Sequence, residues 1–219
     1  MSFTLGRLSQ YLADPADYHM AAVKKLGKYI RGSKDLGIVY QRSAQMPLEG
    51  FSDSDYAKDK ATRISILGNV FFLAGGPISW SSKKQKSVAT STTEAEYMAM
   101  CSCAKQSQWL AQVLRDMGMH HLIGNNPSKP IVKESLQHME NSPIKLNGDN
   151  QASLALVKDA QVSDRSKHID VAYHFVRRLW QMRKIMVEFV GTSDMKADGF
   201  TKAKTGAAMQ RFVSQLNLG

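Results

Sequence analysis

Residues 48–56 read LEGFSDSDY, residues 64–74 read ISILGNVFFLA, and a third β-prone piece, ISWS, follows at 78–81. Branched and aromatic side chains dominate all three, and charged residues or a Gly/Pro turn separate them, which is the pattern of an antiparallel meander. In the first piece Asp53 alternates onto the same face as Phe51, an unusual place for a carboxylate unless it is paired or holds a metal ion. Working outward, Thr92 is expected to cap a long helix reaching about Met117, with Met98, Trp109, Leu110, Val113, Leu114 and Met117 as its apolar face and Gly118 as its stop. A strand at Ile144–Gly148, a short helix over Asn150–Lys158, a longer one over His168–Lys184 and a strand at Ile185–Val190 follow. A closing helix over Met195–Leu218 is softened near Gly206. Trp80 and Trp109 are expected in the core. The sum is an α/β chain, a mixed sheet flanked by helices.

Upstream of the meander, Asp14-Pro15 marks a turn, after which Met20, Val23, Leu26, Gly27 and Ile30 recur at helical spacing opposite Lys24, Lys25, Lys28 and Arg31. Leu36–Gln41 reads as a short strand and 44–49 as a linker. The chain is therefore divided into a helical lead-in over 1–47 and a main domain over 48–219. Residues 119–143 carry Pro127, Pro130 and Pro143 without a sustained period and read as an irregular insertion. With 29 Lys and Arg against 19 Asp and Glu, the net charge of +10 points to a polyanionic partner. At 43% hydrophobic and 22% charged residues the chain can pack a core, which excludes wholesale disorder. Cys101 and Cys103 are expected as reduced thiols, with no ligand set for zinc nearby. No leader and no window of ~20 apolar residues is visible, so neither secretion nor membrane contact is expected.

Four carboxylates sit in short distinctive strings: Asp53 in SDSDYA (52–57), Glu96 in TEAEY (93–97), Asp149 in GDNQ (148–151) and Asp198 in KADGFTK (196–202). Any one of them alone reads as a turn or cap residue. Together, on first strand, long helix, strand end and last helix, they resemble the ribonuclease H arrangement. The surrounding words GFSDSDYAKD, ISWSSKKQKSVATSTTEAEYMA, GDNQASLALVKD, RSKHIDVAYHFVR and KADGFTK resemble the copia-type retrotransposon version of that domain, from about residue 48 to 203. LGRLSQYLADPADYHMAAVKKLGKYIRGSKDLGIVY, at 5–40, resembles the tail by which the reverse transcriptase of such polyproteins leads into it.

The resemblance implies a ribonuclease H-like five-stranded mixed sheet, three antiparallel strands and then parallel ones. It implies hydrolysis of the RNA strand of RNA/DNA hybrids with two Mg²⁺ ions, Mn²⁺ being able to substitute. Hard oxygen ligands suit such ions, and two of them ~3.5 to 4 Å apart supply an activated water and relieve charge on the leaving oxygen. In the family pattern Asp53 bridges both ions, Glu96 and Asp149 share one, and Asp198 holds the ion that activates water. Glu96 also lies near the ribose 2′-hydroxyl, the group that tells RNA from DNA. Asp55 is the competing assignment for Asp53.

Substrate contacts are expected from Ser54, Lys83, Lys84, Thr92, Asn150, Gln151, Arg165, Lys167 and His168. Lys83, Lys84 and Lys86 with Ser87, Thr90, Ser91 and Thr92 form a basic, hydroxyl-rich approach suited to gripping a backbone without reading sequence. The stretch GTSDMKADG has no His where many cellular relatives carry one. The implied partners are the hybrid and the rest of the Pol polyprotein. The implied location is intracellular, in a cytoplasmic virus-like particle or the nucleus. Two alternatives stay open: an integrase- or resolvase-type nuclease, and a catalytically silent or domesticated remnant that only binds nucleic acid.

Overall fold

A computed structural model describes residues 1–42, 46–57, 63–124, 143–158 and 170–219. Five strands, β1 (Glu49–Asp55), β2 (Ile66–Leu73), β3 (Gly76–Lys84), β4 (Ile144–Gly148) and β5 (Ile185–Phe189), form one sheet in the order β3-β2-β1-β4-β5. β1, β2 and β3 pair antiparallel, and β4 joins β1 and β5 in parallel. This is the ribonuclease H-like order that the resemblance implies. Alternation along β2 divides the core between the two faces of the sheet: Phe71 joins one apolar cluster, while Val70 and Phe72 join the other with Phe51.

Helices cover both faces. α3 (Thr92–Asp116), α4 (Gln151–Lys158) and α5 (Asp170–Gln181) contribute to the first cluster. α6 (Gly206–Gln215) and the short 3₁₀ turn Asp198–Phe200 pack the second, where the Phe200 and Phe212 rings meet edge to face at 5.4 Å. Tyr97 of α3 stacks on Tyr173 of α5 at 4.0 Å and donates its hydroxyl to the Tyr173 carbonyl. Cys101 and Cys103 are free and buried in α3, and burial pushes both thiols up.

Several local expectations are corrected. Ser91, not Thr92, caps α3: its hydroxyl accepts the Glu94 N–H at 3.1 Å. Trp109 and Trp80 are 59% and 47% exposed instead of buried. α3 lies on the sheet through Ala99, Cys103, Ala104, Ser107 and Ala111, small side chains that allow close approach but contribute little to a hydropathy pattern. That stripe leaves Trp109 and Met117 outside. On the edge strand β3, Ser79 faces α3 and meets Gln106, so alternation turns Trp80 away from the larger cluster. The closing helix starts at Gly206, and Asp198 belongs to the separate turn before it.

The lead-in contributes α1 (Ser2–Leu8) and α2 (Asp17–Gly32). The strand expected over Leu36–Gln41 reduces to one antiparallel bridge, Ile38 to Leu218, because its partner is the final tail of the chain. Tyr40 adds a hydrogen bond to the Pro77 carbonyl at 2.9 Å. In the expected insertion, His120–Leu122 forms a 3₁₀ turn whose Leu122 carbonyl accepts the Leu48 N–H at 2.7 Å. Residues 125–142 lie outside the described residues, as do Arg165, Lys167, His168 and the expected start of the helix placed at His168–Lys184.

Candidate metal centre

Adjacent parallel strands set the first two acids side by side. β1 and β4 pair with Phe51 opposite Asn147, and two residues further along each chain stand Asp53 and Asp149. Both therefore emerge at the carboxyl ends of neighbouring parallel strands, where α/β sheets characteristically hold ligands. The third comes from the opening turns of α3, whose first turn is fixed by its own side chains. Glu94 accepts hydrogen bonds from the Thr90 N–H at 2.7 Å and from the Thr90 hydroxyl, and so serves as a cap. Glu96, two residues on, points another way and meets the strand ends. Ligand oxygens of Asp53, Glu96 and Asp149 all lie within 4.8 Å of one another.

Mutual repulsion and burial are visible in the protonation of the cluster. Burial first, then the facing Asp53 and Asp149 charges, push Glu96 up to about 9. Asp53 is also raised, by burial; the Thr201 hydroxyl bond pulls it back and Asp149 pushes it up again. A divalent ion relieves both effects at once, and a set of hard carboxylate oxygens without His or Cys suits Mg²⁺ or Mn²⁺. The residues present fit such an ion.

Neighbouring side chains hold the acids in place. Thr201, fully buried, donates its hydroxyl to Asp53 Oδ2, and Thr192 donates to Asp149 Oδ2 at 3.0 Å. The Thr201 contact depends on Gly68, which pairs with Asp53 across β1 and β2. A Cβ at Gly68 would stand 2.7 Å from Thr201 Cγ2 and 3.0 Å from the Ala197 carbonyl, so glycine lets the 197–201 segment lie against the sheet.

Asp198 is not one of the three clustered acids. Its carboxylate is paired with Lys202 and with Lys204, and the residue is buried. Thr192, Thr201, Lys202 and Lys204 received no role from the sequence. KADGFTK was distinctive as a string, but a hydroxyl and a lysine after a turn carry no periodic signal. Asp55, the competing assignment, lies at the end of β1 outside the cluster.

The expected substrate-contacting residues gather at the same end of the sheet where they are described. The register sets Lys83 opposite Leu67 and Leu67 opposite Ser54, and Lys84 opposite Ile66 and Ile66 opposite Asp55. The two lysines are thus two strands from β1, ~10 Å at ~4.8 Å per strand. Thr92 is exposed one turn before Glu96, and Gln151 is exposed at the start of α4. Asn150 accepts the Ser153 N–H at 2.8 Å and so caps α4 beside Asp149. The Ser54 hydroxyl is buried and has no hydrogen-bond partner among the described residues.

No protein-family model matches the chain. It is 32% identical over 218 residues to the retrovirus-related Pol polyprotein from transposon RE1 of Arabidopsis thaliana, covering all of this chain and 14% of that protein. It is 34% identical over 202 residues to the corresponding polyprotein from transposon TNT 1-94 of Nicotiana tabacum, covering 92% of this chain and again 14% of the relative. The chain thus spans about a seventh of these relatives. Among solved structures, the LC11 ribonuclease H1 isolated from compost aligns with a TM-score of 0.47 at 11% identity, over 70% of this chain and 91% of that one.

Proposed function

Because the chain belongs to the Pol polyprotein family of copia-type retrotransposons, and because three acids converge at its strand ends, we propose that it hydrolyses the RNA strand of RNA/DNA hybrids with two divalent metal ions. The convergence of Asp53, Glu96 and Asp149 is the observation that carries this reading. Mg²⁺ is the natural ion, with Mn²⁺ as a substitute, and Asp198 is the fourth ligand. The ions, when bound, supply an activated water and neutralise charge on the reacting phosphate. The chain supplies the remaining functions. Thr201 and Thr192 fix the orientation of Asp53 and Asp149, so the acids need not reorganise when substrate arrives. Glu96, at the start of α3, meets the ribose 2′-hydroxyl and discriminates RNA from DNA.

Lys83 and Lys84, at the end of β3, contact backbone phosphates beside the cut, as do Thr92, Asn150 and Gln151, while the buried Ser54 hydroxyl does not reach them. The rest of the polyprotein, with its reverse transcriptase, is the physical partner, and the work is done inside the cell in reverse transcription. No helix among the described residues is long and apolar enough to cross a membrane.

The purified chain, given Mg²⁺ and labelled RNA/DNA hybrid beside duplex RNA and duplex DNA, is expected to cut RNA in the hybrid alone. Asp53→Asn and Asp149→Asn proteins that still fold should lose this cleavage. The lysine pairs on Asp198 favour one alternative, a silent remnant that binds nucleic acid without turnover. Hybrid binding without metal-dependent cleavage at any protein concentration would select it.

A further inference from the structure

Asp198 differs from the three clustered acids in its partners. Lys202 Nζ pairs with Oδ1 and Lys204 Nζ with Oδ2, so an ammonium group faces each of its oxygens. Lys202 stands four residues after Asp198, and its charge also acts on Asp53 and Glu96. One ammonium therefore serves both Asp198 and the acidic cluster. Lys204 and Asp198 both line a cleft of about 460 Å³ between the 192–195 turn and α6. At 6% exposure Asp198 needs a positive partner, since an unpaired buried carboxylate is costly. A divalent ion and a lysine are alternative ways to meet that need, and they compete for the same oxygens.

We propose that Lys202 and Lys204 form a latch on Asp198 that separates two cation positions: a first divalent ion binds Asp53, Glu96 and Asp149, and a second enters only in exchange for an ammonium group. The proposal rests on the metal-dependent reading above and adds an order and an inequality of affinity to it. The exchange is feasible for Lys204 because the cleft offers its side chain a route away from Asp198. Thr192 and Ser193 line that route, their hydroxyls donating to Asp149 and Asp194. The charge change is also favourable locally, as a divalent ion replaces a single positive charge among several carboxylates. The chain's own lysines then keep the buried carboxylate neutralised whenever the second ion is not there.

Equilibrium Mn²⁺ binding to the purified full chain, followed by calorimetry and by the spin-resonance signal of free Mn²⁺ without nucleic acid, tests this independently of activity. The unsubstituted chain is expected to bind one ion tightly and a second at least about tenfold more weakly, the scale of one close charge pair. Lys204→Met, which leaves Lys202 on Asp198, should tighten the second ion about tenfold and change the first by less than about twofold. Lys202→Met should do the same for the second ion, Lys204→Arg should behave as the unsubstituted chain, and Asp198→Asn should lose the second ion alone. Thermal melts confirm that each variant folds. A normal first ion with a second equally weak in both Met variants, or two equally tight ions in the unsubstituted chain, overturns the latch alone. Absence of Mn²⁺ binding from every protein overturns the metal-dependent reading beneath it.

Discussion

Glu96 and Thr201 show how far single residues control the site. Glu96 is raised from 4.5 to about 9, so without a divalent ion it stays protonated in the fold at pH values where the unfolded chain has already released its proton. The sign follows from linkage: its contribution is fully present below about 4.5 and is lost progressively as pH rises toward about 9. In chelator the melting temperature should fall across that window. Glu96→Gln should flatten the curve and melt higher at pH 8, by ~2 to 4 °C for each kcal/mol recovered. Mn²⁺ affinity should climb over the same range, since the ion competes with the proton. A melting temperature in chelator that is independent of pH in both proteins would contradict the assignment. Thr201→Val keeps the shape and removes the donor to Asp53. It should cost ~1 to 3 kcal/mol in denaturant unfolding and weaken the first Mn²⁺, whereas Thr201→Ser should retain both. The three clustered acids were legible through the family resemblance of the strings around them, since any one of them alone reads as a turn or cap residue. Thr201 was not, because its role depends on a contact 148 positions away in the chain.

Among elements, β2 was read correctly as a strand, while the reason for its Gly68 was not visible. Only the folded arrangement shows that the 197–201 segment crosses there, with the Ala197 carbonyl and the Thr201 methyl against the glycine. Gly68→Ala should force that segment off the sheet, at ~1 to 3 kcal/mol for overpacking, and should loosen Asp53 by drawing Thr201 away. Denaturant midpoints and Mn²⁺ titration of the same protein should therefore both shift. A loss of stability with unchanged Mn²⁺ affinity would mean that Thr201 follows Asp53 despite the displacement. α3 shows the opposite limit of sequence reading. Its cap was misplaced by one residue, at Thr92 instead of Ser91, whereas its existence and length were legible from its apolar spacing and the Gly118 stop. Its buried face was not, because Ala, Ser and Cys settle it through close approach to the sheet, while the bulky Trp109 and Met117 remain outside.

For the whole molecule, charge excess and the acidic centre make opposite demands on one polyanionic substrate. Under the proposed function, a net charge of +10 would draw a hybrid in, yet the clustered carboxylates would repel the phosphate that must come closest. Divalent ions bound there would reconcile the two locally, and the proposed lysine contacts at the end of the sheet would do so along the flanking backbone. Lys83 and Lys86 are exposed there, on the approach from β3 to α3. If each contacts a phosphate, each releases a counterion, and the slope of log affinity against log salt should lose about 0.9 per lysine removed. The Lys83→Ala/Lys86→Ala protein should therefore bind a non-cleavable hybrid with a slope shallower by about 2, with affinity loss greatest at low salt. Its Mn²⁺ binding should be unchanged, since neither lysine touches the acids, and fluorescence anisotropy across a salt series provides the measurement. An unchanged slope would place the hybrid on another surface, with the basic face of α2 next in line. There Lys24, Lys25, Lys28 and Arg31 are exposed, and the same subtraction applied to them would locate the track.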